Sequence, residues 1–480
     1  MRSTLKRFFS LAPTLIVGGV FVGFIGAYAL TPFFVSHVLP ASPSAKERAT
    51  AAIEPFTPST TTPVRVINRL TVLDAVPKTG KFIAADLKDM TLTLYENGVA
   101  VGTYPILTKG RPGSPYETPA GFYEVLTKET DHFNKSEQVH MPFSMQFYGN
   151  YFIHGWPYYE KDGTPVASTY SGGCIRLSTD DAGKVYAFAE KGTGVFVYDP
   201  AGPQPPTIVL GPASVPHVSA ESYLVADIDT GDVYLEKNAR EQRPIASLTK
   251  LMTALVANET IMFNKKISVA SADLAHGEAS GRPETESFVV GDLLYPLLME
   301  SNNAIADELA RYYGTHNFVR WMNDAAKALD MQSTHFADAS GVSASNVSVT
   351  DDLYRLAVYL ANKKSFILGI TRTPEKKLVA ASGNVYPISN FNIFSGSPDF
   401  IGGKVGETGA AGETMASVFS VTVDGVSRRV AIVVLKSEDY TVDTTELADW
   451  FTQSARQGAA LASAAACATC AAPTYRQIGL

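Results

Sequence analysis

Tyr170-Ser171-Gly172-Gly173-Cys174-Ile175-Arg176, preceded by His154-Gly155, and Ser247-Leu248-Thr249-Lys250, followed by Ser301-Asn302-Asn303, are the stretches that decide the fold. Each offers a nucleophile and a proton acceptor: an imidazole for the thiol, an amine for the hydroxyl. A thiol attacks an amide well only as thiolate, and tight glycine turns can aim backbone N–H groups at a developing oxyanion. A serine three residues before a lysine at a helix start shares one helical face with it. A lysine held away from water there can lose its proton and activate the hydroxyl. Two such units predict two acyl-transfer domains in series.

Working outward, 480 residues with 45% hydrophobic and 18% charged content exceed one ordinary core and suggest two globular domains. A net charge of -7 without a basic patch argues against a nucleic-acid partner. Five prolines between Pro40 and Pro63 and six between Pro200 and Pro216 mark extended spacers. Arg2, Lys6 and Arg7 precede an uncharged run from Leu11 to Leu30. As a helix that run covers roughly 30 Å, enough to cross a bilayer, with the N-terminus inside. Ala27-Tyr28-Ala29 resembles a cleavage site, but the run exceeds the ~7–15 apolar residues of a signal peptide. A retained single-pass membrane anchor is therefore expected, with a cleaved, secreted form as the alternative. The catalytic bulk is extracytoplasmic in both cases.

The expected organisation is a cytoplasmic stub and transmembrane anchor over 1–39, a linker over 40–67, a cysteine domain over 68–199, a linker over 200–217, a serine domain over 218–455 and an Ala-rich tail over 456–480. In the first domain Lys81–Asp86 and Thr91–Tyr95 alternate or run apolar at strand length, and Asn97-Gly98 offers a tight turn into Val99–Ile106. Short strands continue to Val195–Tyr198, so this domain is mostly β. In the second, Tyr223–Ile228 and Gly231–Leu235 read as a hairpin around Asp229-Thr230. Helical patterns start at Ser247, Asp292, Ser301 and Asp351, and Ala416–Val423 and Arg429–Leu435 read as buried strands. The fold class is multidomain α+β: a transmembrane helix, a mostly-β domain, then an α/β domain. Of three cysteines, Cys174 stands alone in its domain, which suits a nucleophile better than a disulfide. Cys467 and Cys470 form one weak C-x-x-C pair, to which no function is assigned.

Residues of roughly 80–199 resemble the L,D-transpeptidase catalytic domain (YkuD-like). Its motif is His-Gly, about sixteen residues, then Ser/Thr-His-Gly-Cys, an apolar residue and Arg or Asn. His154-Gly155 and Ser171-Gly172-Gly173-Cys174-Ile175-Arg176 match it, and Thr118-Pro119-Ala120-Gly121 matches the family's Thr-Pro-x-Gly. The resemblance implies Cys174 as nucleophile and His154 as base. It places Ser171 and Arg176 beside the substrate and the N–H groups of Gly173 and Cys174 near the oxyanion. Gly172 stands where the motif has a histidine.

The stretch 222–437 resembles D-alanyl-D-alanine carboxypeptidases of the low-molecular-mass penicillin-binding type, with a β-lactamase-like fold. It carries Ser247-x-x-Lys250, then Ser301-Asn302-Asn303, then Lys404-Val405-Gly406-Glu407-Thr408 in place of a Lys-Thr-Gly strand. The resemblance implies Ser247 as nucleophile, Lys250 as its base, and Ser301 and Asn303 as proton relay and substrate contact. Lys404 would face the terminal carboxylate. Gly406, Glu407 and Thr408 would line the substrate, with the N–H groups of Ser247 and Glu407 forming the oxyanion hole. Val405 replaces the family's hydroxyl residue. Lys78-Thr79-Gly80 is a chance match, far upstream and without a preceding Ser-x-Asn.

Together the resemblances imply a bacterial peptidoglycan enzyme: a cysteine L,D-transpeptidase joined to a serine carboxypeptidase. It would act on stem peptides and be acylated by β-lactams, with no metal and no cofactor. Gly172 and Val405 motivate a rival reading, degenerate wall-binding modules. A β-lactamase, which needs a deacylating glutamate motif, is the third.

Overall fold

In the computed structural model the described residues are 65–66, 71–200, 204–274, 283–423 and 425–470, with side chains of 462–470 left aside. The expected anchor and most of the first spacer lie outside them. Among the described residues no helix is long and apolar enough to cross a membrane.

The cysteine domain is two five-stranded sheets. In the first, Lys81–Asp86 is buried at five of six positions and sits centrally, parallel to Gly194–Tyr198 and antiparallel to Thr91–Glu96. Thr91–Glu96 alternates in burial at its start, and Val99–Pro105 is a largely exposed edge. Asn97 at φ +52° and Gly98 at φ +81° make the two-residue turn between them. The second sheet runs Ile175–Arg176, Tyr151–His154, Val139–Tyr148, Thr127–Asn134, with Tyr158–Tyr159 beside Val139–Tyr148. Ile175–Arg176 lies parallel to Tyr151–His154, which places Arg176 opposite His154 and brings the ends of the sequence motif together. The helix Thr179–Phe188 starts at Ser178, whose hydroxyl accepts the Asp181 N–H at 3.1 Å.

The serine domain is a mixed α/β layer around a six-stranded sheet: Arg65–Val66, Asp232–Lys237, Ser222–Asp227, Val426–Ser437, Gly412–Val423, Phe400–Thr408. The expected hairpin and both late strands are present, with helices Val290–Met299, Asn303–Arg311, Thr315–Ala328 and Thr350–Lys363 between. Arg65 extends this sheet from the far side of the cysteine domain, bonded to Glu236 and Asp351. The helix Thr249–Thr260 is buried at every one of its twelve residues. Such a helix belongs to a core rather than to a surface.

The stretch read as a second spacer is docked. Ile208 and Leu210 are buried against the serine-domain sheet, and the Gly211 N–H reaches Ser454 O at 2.7 Å. The helix they meet, Tyr440–Cys470, continues past residue 455. The prolines extend this segment, while Ile208 and Leu210 pin it to the sheet and Val209 and Val215 stay exposed.

The two catalytic segments share one continuous hydrophobic cluster, to which Ile83, Phe147 and Val195 contribute from one side and Leu255, Phe318 and Val433 from the other. Within this contact lies a buried charge pair: Lys364 Nζ is 3.5 Å from Glu259 and donates to Glu117 O at 2.9 Å. Tyr359 Oη donates to the same Glu259 carboxylate at 3.0 Å. Burial pushes the carboxyl up and the ammonium down, and their mutual attraction opposes both shifts. Removing one partner of such a pair strands the other charge in the interior. Lys364→Met should therefore cost about 3–5 kcal/mol of stability in denaturant unfolding, and Lys364→Met with Glu259→Gln should cost less than the single change.

Candidate active sites

The cysteine site forms where the loop before Ile175–Arg176 crosses the end of Tyr151–His154. Ser171 Oγ donates to Cys174 O at 2.6 Å and accepts the Gly173 N–H at 3.1 Å, so it holds the turn under Cys174. Gly173 takes φ +111°, and a Cβ there would lie 2.1 Å from the Tyr151 ring; only glycine fits. Thr118, fully buried, accepts the Gly110 N–H at 2.9 Å and anchors the neighbouring loop. A Cβ on Gly172 would meet nothing within 4 Å, so the position of the family's motif histidine is open space.

His154 is buried, and its Nδ1 bonds to Gly155 O at 2.6 Å. With Nδ1 as donor, Nε2 carries the lone pair, and it has no hydrogen-bond partner among the described residues. Burial holds this imidazole down to about 3, aided by the Arg176 charge. Cys174 and His154 line one cavity of about 400 Å³, but the thiol points at Asn150 O, 3.8 Å from Sγ. Desolvation pushes the thiol up to about 11, against a backbone hydrogen bond from Phe152 and the positive charge of Arg176. The resting pair is therefore neutral thiol and neutral imidazole, and catalytic hydrogen bonds often tighten only once substrate is bound. Arg176 is buried beside the Trp156 ring, and among the described residues its Nε and Nη1 have no hydrogen-bond partner.

In the serine site, Ser247 lies in the single 3₁₀ turn Ala246–Leu248 that leads into Thr249–Thr260. Lys250 is fully buried, and Nζ donates to Ser247 Oγ at 3.0 Å, to Asn303 Oδ1 at 2.7 Å and to Ser340 O. Burial lowers its pKa to about 8, opposed by the negative charges of Asp338 and Asp307. Gly406 packs so tightly on the Ser247 backbone that a Cβ would lie 2.7 Å from Ser247 N. Lys404, 2% exposed, donates to Val405 O at 2.8 Å and forms no ion pair among the described residues. Burial and the Lys250 charge hold its pKa well below the usual lysine range. Val405 turns to the other face of the strand and packs on the second core cluster.

Ser301 precedes Asn303–Arg311 at φ +56°, and Asn302 caps that helix by accepting the Ile305 N–H at 3.1 Å. Glu407 is exposed at the end of its strand, while Thr408 Oγ1 accepts the Ala411 N–H at 3.1 Å. Sequence reasoning missed the loop Asp338–Ser343. There Asp338 accepts the N–H groups of Ser340, Gly341 and Ser343, and so aims Ser340 O at Lys250. Its one sequence signal is Asp338-Ala339-Ser340-Gly341, an Asx-type turn.

Residues 211–439 match the D-alanyl-D-alanine carboxypeptidase family, and residues 80–197 match the L,D-transpeptidase catalytic domain. The chain is 30% identical over 250 residues to a D-alanyl-D-alanine endopeptidase of Escherichia coli (strain K12), covering 50% of this chain and 79% of that protein. It is 34% identical over 168 residues to a D-alanyl-D-alanine endopeptidase of Pseudomonas aeruginosa, covering 34% of this chain and 54% of that one, so it spans about half of that relative. Among solved structures, D-alanyl-D-alanine carboxypeptidase from Mycobacterium tuberculosis H37Rv is similar at 28% identity and a TM-score of 0.43, covering 50% of this chain and 92% of that chain.

The resting cysteine site sets a pH dependence. Burial favours the neutral thiol, so alkylation of Cys174 by iodoacetamide should climb with pH toward a midpoint near 11. A rate already at its plateau at pH 7 would instead reveal a resting thiolate–imidazolium pair.

Proposed function

The chain belongs to the D-alanyl-D-alanine carboxypeptidase family and carries an L,D-transpeptidase catalytic domain, and from that premise we propose a two-headed peptidoglycan enzyme whose serine head trims pentapeptide stems and whose cysteine head crosslinks the tetrapeptides that result. The observation that carries the serine half is the buried Lys250 amine in hydrogen-bond contact with Ser247 Oγ. Neutral Lys250 takes the Ser247 proton as Oγ attacks the penultimate D-alanine carbonyl. The departing D-alanine amine takes a proton back, Ser301 and Asn303 assisting, and water then cleaves the ester. Lys404, without an acidic partner among the described residues, receives the terminal carboxylate. The N–H groups of Ser247 and Glu407 face the oxyanion, and Gly406 and Thr408 line the peptide.

At the cysteine head, His154 Nε2 accepts the Cys174 proton and the thiolate attacks the carbonyl of the third stem residue. D-alanine leaves, and the thioester passes to an acceptor amine. Ser171 and Gly173 shape the turn behind the sulfur, and Arg176 holds an anionic group of the stem. The N-terminal apolar segment anchors both heads outside the membrane, where β-lactams would acylate them. The open space at Gly172 and the resting thiol favour a second reading for this head alone, a wall-peptide binder.

Mass spectrometry of defined penta- and tetrapeptide muropeptides incubated with the protein separates these readings. Ser247→Ala should abolish loss of D-alanine from pentapeptide, and Cys174→Ala should abolish crosslinked product from tetrapeptide while leaving trimming intact. Crosslinking that persists in Cys174→Ala, or is missing from the unaltered chain, rules out the cysteine mechanism. The trimming rate, kcat/KM, should rise with pH through about 8, because only the neutral Lys250 amine can accept the serine proton.

A further inference from the structure

The cavity at Cys174 is not built by the cysteine domain alone. Asn258, Met262, Phe263 and Tyr313 of the serine domain line it with Tyr116, His154 and Arg176. This wall is fixed in place. Tyr116 meets Phe263 edge-on with ring centroids 6.4 Å apart, and Phe263 meets Phe366 in the same way at 6.0 Å. Asn150 joins the domains at the nucleophile itself: its side chain donates to Thr260 O at 2.7 Å, while its carbonyl faces Cys174 Sγ.

Asn258 carries the chemistry of that wall. It is 6% exposed, its Nδ2 donates to Pro115 O at 3.0 Å, and its Oδ1 has no hydrogen-bond partner among the described residues. On the cysteine-domain side, Nε and Nη1 of Arg176 are equally unpaired. A cavity with idle guanidinium donors at one wall and an idle amide acceptor at another suits a ligand bearing both a carboxylate and an N–H donor. A stem peptide ending in D-alanine has both. Tyr313, 42% exposed and held edge-on against Tyr312 and Trp321, stands at the same cavity and offers its exposed surface to a bound peptide.

Resting on the reading of Cys174 as an acyl-transfer nucleophile, we propose that the serine domain supplies part of the donor-peptide site of the cysteine head, with Asn258 Oδ1 accepting an N–H of the stem and Tyr313 packing over it. The serine domain is then a specificity element for a reaction whose nucleophile lies in the other domain. Asn258 lies on the same helix as Lys250, about 12 Å further along at 1.5 Å per residue.

The test uses the full chain and synthetic tetrapeptide stems with lysine or diaminopimelate third, following D-alanine release and acylation of Cys174 by mass spectrometry. Asn258→Ala and Tyr313→Ala should each raise KM about tenfold with kcat within twofold. Alkylation of Cys174 by iodoacetamide and labelling of Ser247 by fluorescent penicillin should stay within twofold of the unaltered chain. Tyr313 is exposed, so its variant decides the matter should Asn258→Ala fail to fold. A KM within twofold in the folded variants overturns the proposal while leaving Cys174 as nucleophile. No acylation of Cys174 in the unaltered chain overturns that reading and the proposal with it.

Discussion

The helix Thr249–Thr260 is the constraint on which both sites depend. All twelve of its residues are buried, so it can neither bend nor rotate without disturbing the shared core. Its first turn presents Lys250 to Ser247, and its last turn presents Asn258 and Thr260 to the cysteine domain and Glu259 to Lys364. One rigid element therefore places the Lys250 amine beside Ser247 at one end and a domain contact at the other. The Glu259–Lys364 pair fixes that far end, because a carboxylate so deeply buried is tolerated only while its cation and the Tyr359 hydroxyl stay in place.

Desolvation acts on both nucleophile partnerships with opposite consequences. It favours neutral forms everywhere. For Lys250 the neutral form is the useful one, and burial brings the amine down to about 8, into the range of a working base. For Cys174 the neutral form is the inactive one, and burial pushes the thiol up to about 11 while holding His154 near 3. Lys250 is thus drawn toward its neutral form, whereas Cys174 rests with its proton on sulfur. Lys404 and Arg176 extend the contrast: among the described residues Lys404 has no ion pair and two Arg176 donors have no partner, so an incoming anion would favour the charged Lys404 amine and meet the guanidinium.

The two departures from family motifs differ in their structural setting. Val405 points away from the nucleophile into apolar packing, so the strand keeps its register and Gly406 keeps its close approach to Ser247. Gly172 leaves open space at the mouth of the cysteine site, in a turn whose geometry is already held by Ser171 and Gly173.

Rules that act over three or four residues were legible in the sequence. The strand runs, the Asn97-Gly98 turn and the i,i+3 placement of Ser247 and Lys250 all depend on backbone periodicity, and the structure contains each of them. Tertiary structure alone decided what happens between distant residues. Pro and Ser content between 200 and 216 describes an extended chain but not the apolar faces that receive Ile208 and Leu210. The carbonyl of Ser340 at Lys250, Lys364 beneath Glu259, and Asn258 in the wall of another domain's site each join residues about ninety or more positions apart. Burial and charge pairing select such contacts only once the whole chain has collapsed. The sequence by itself determined which groups could react; the packing of two domains on one helix decided which of them are dry, which are paired and which share a cavity.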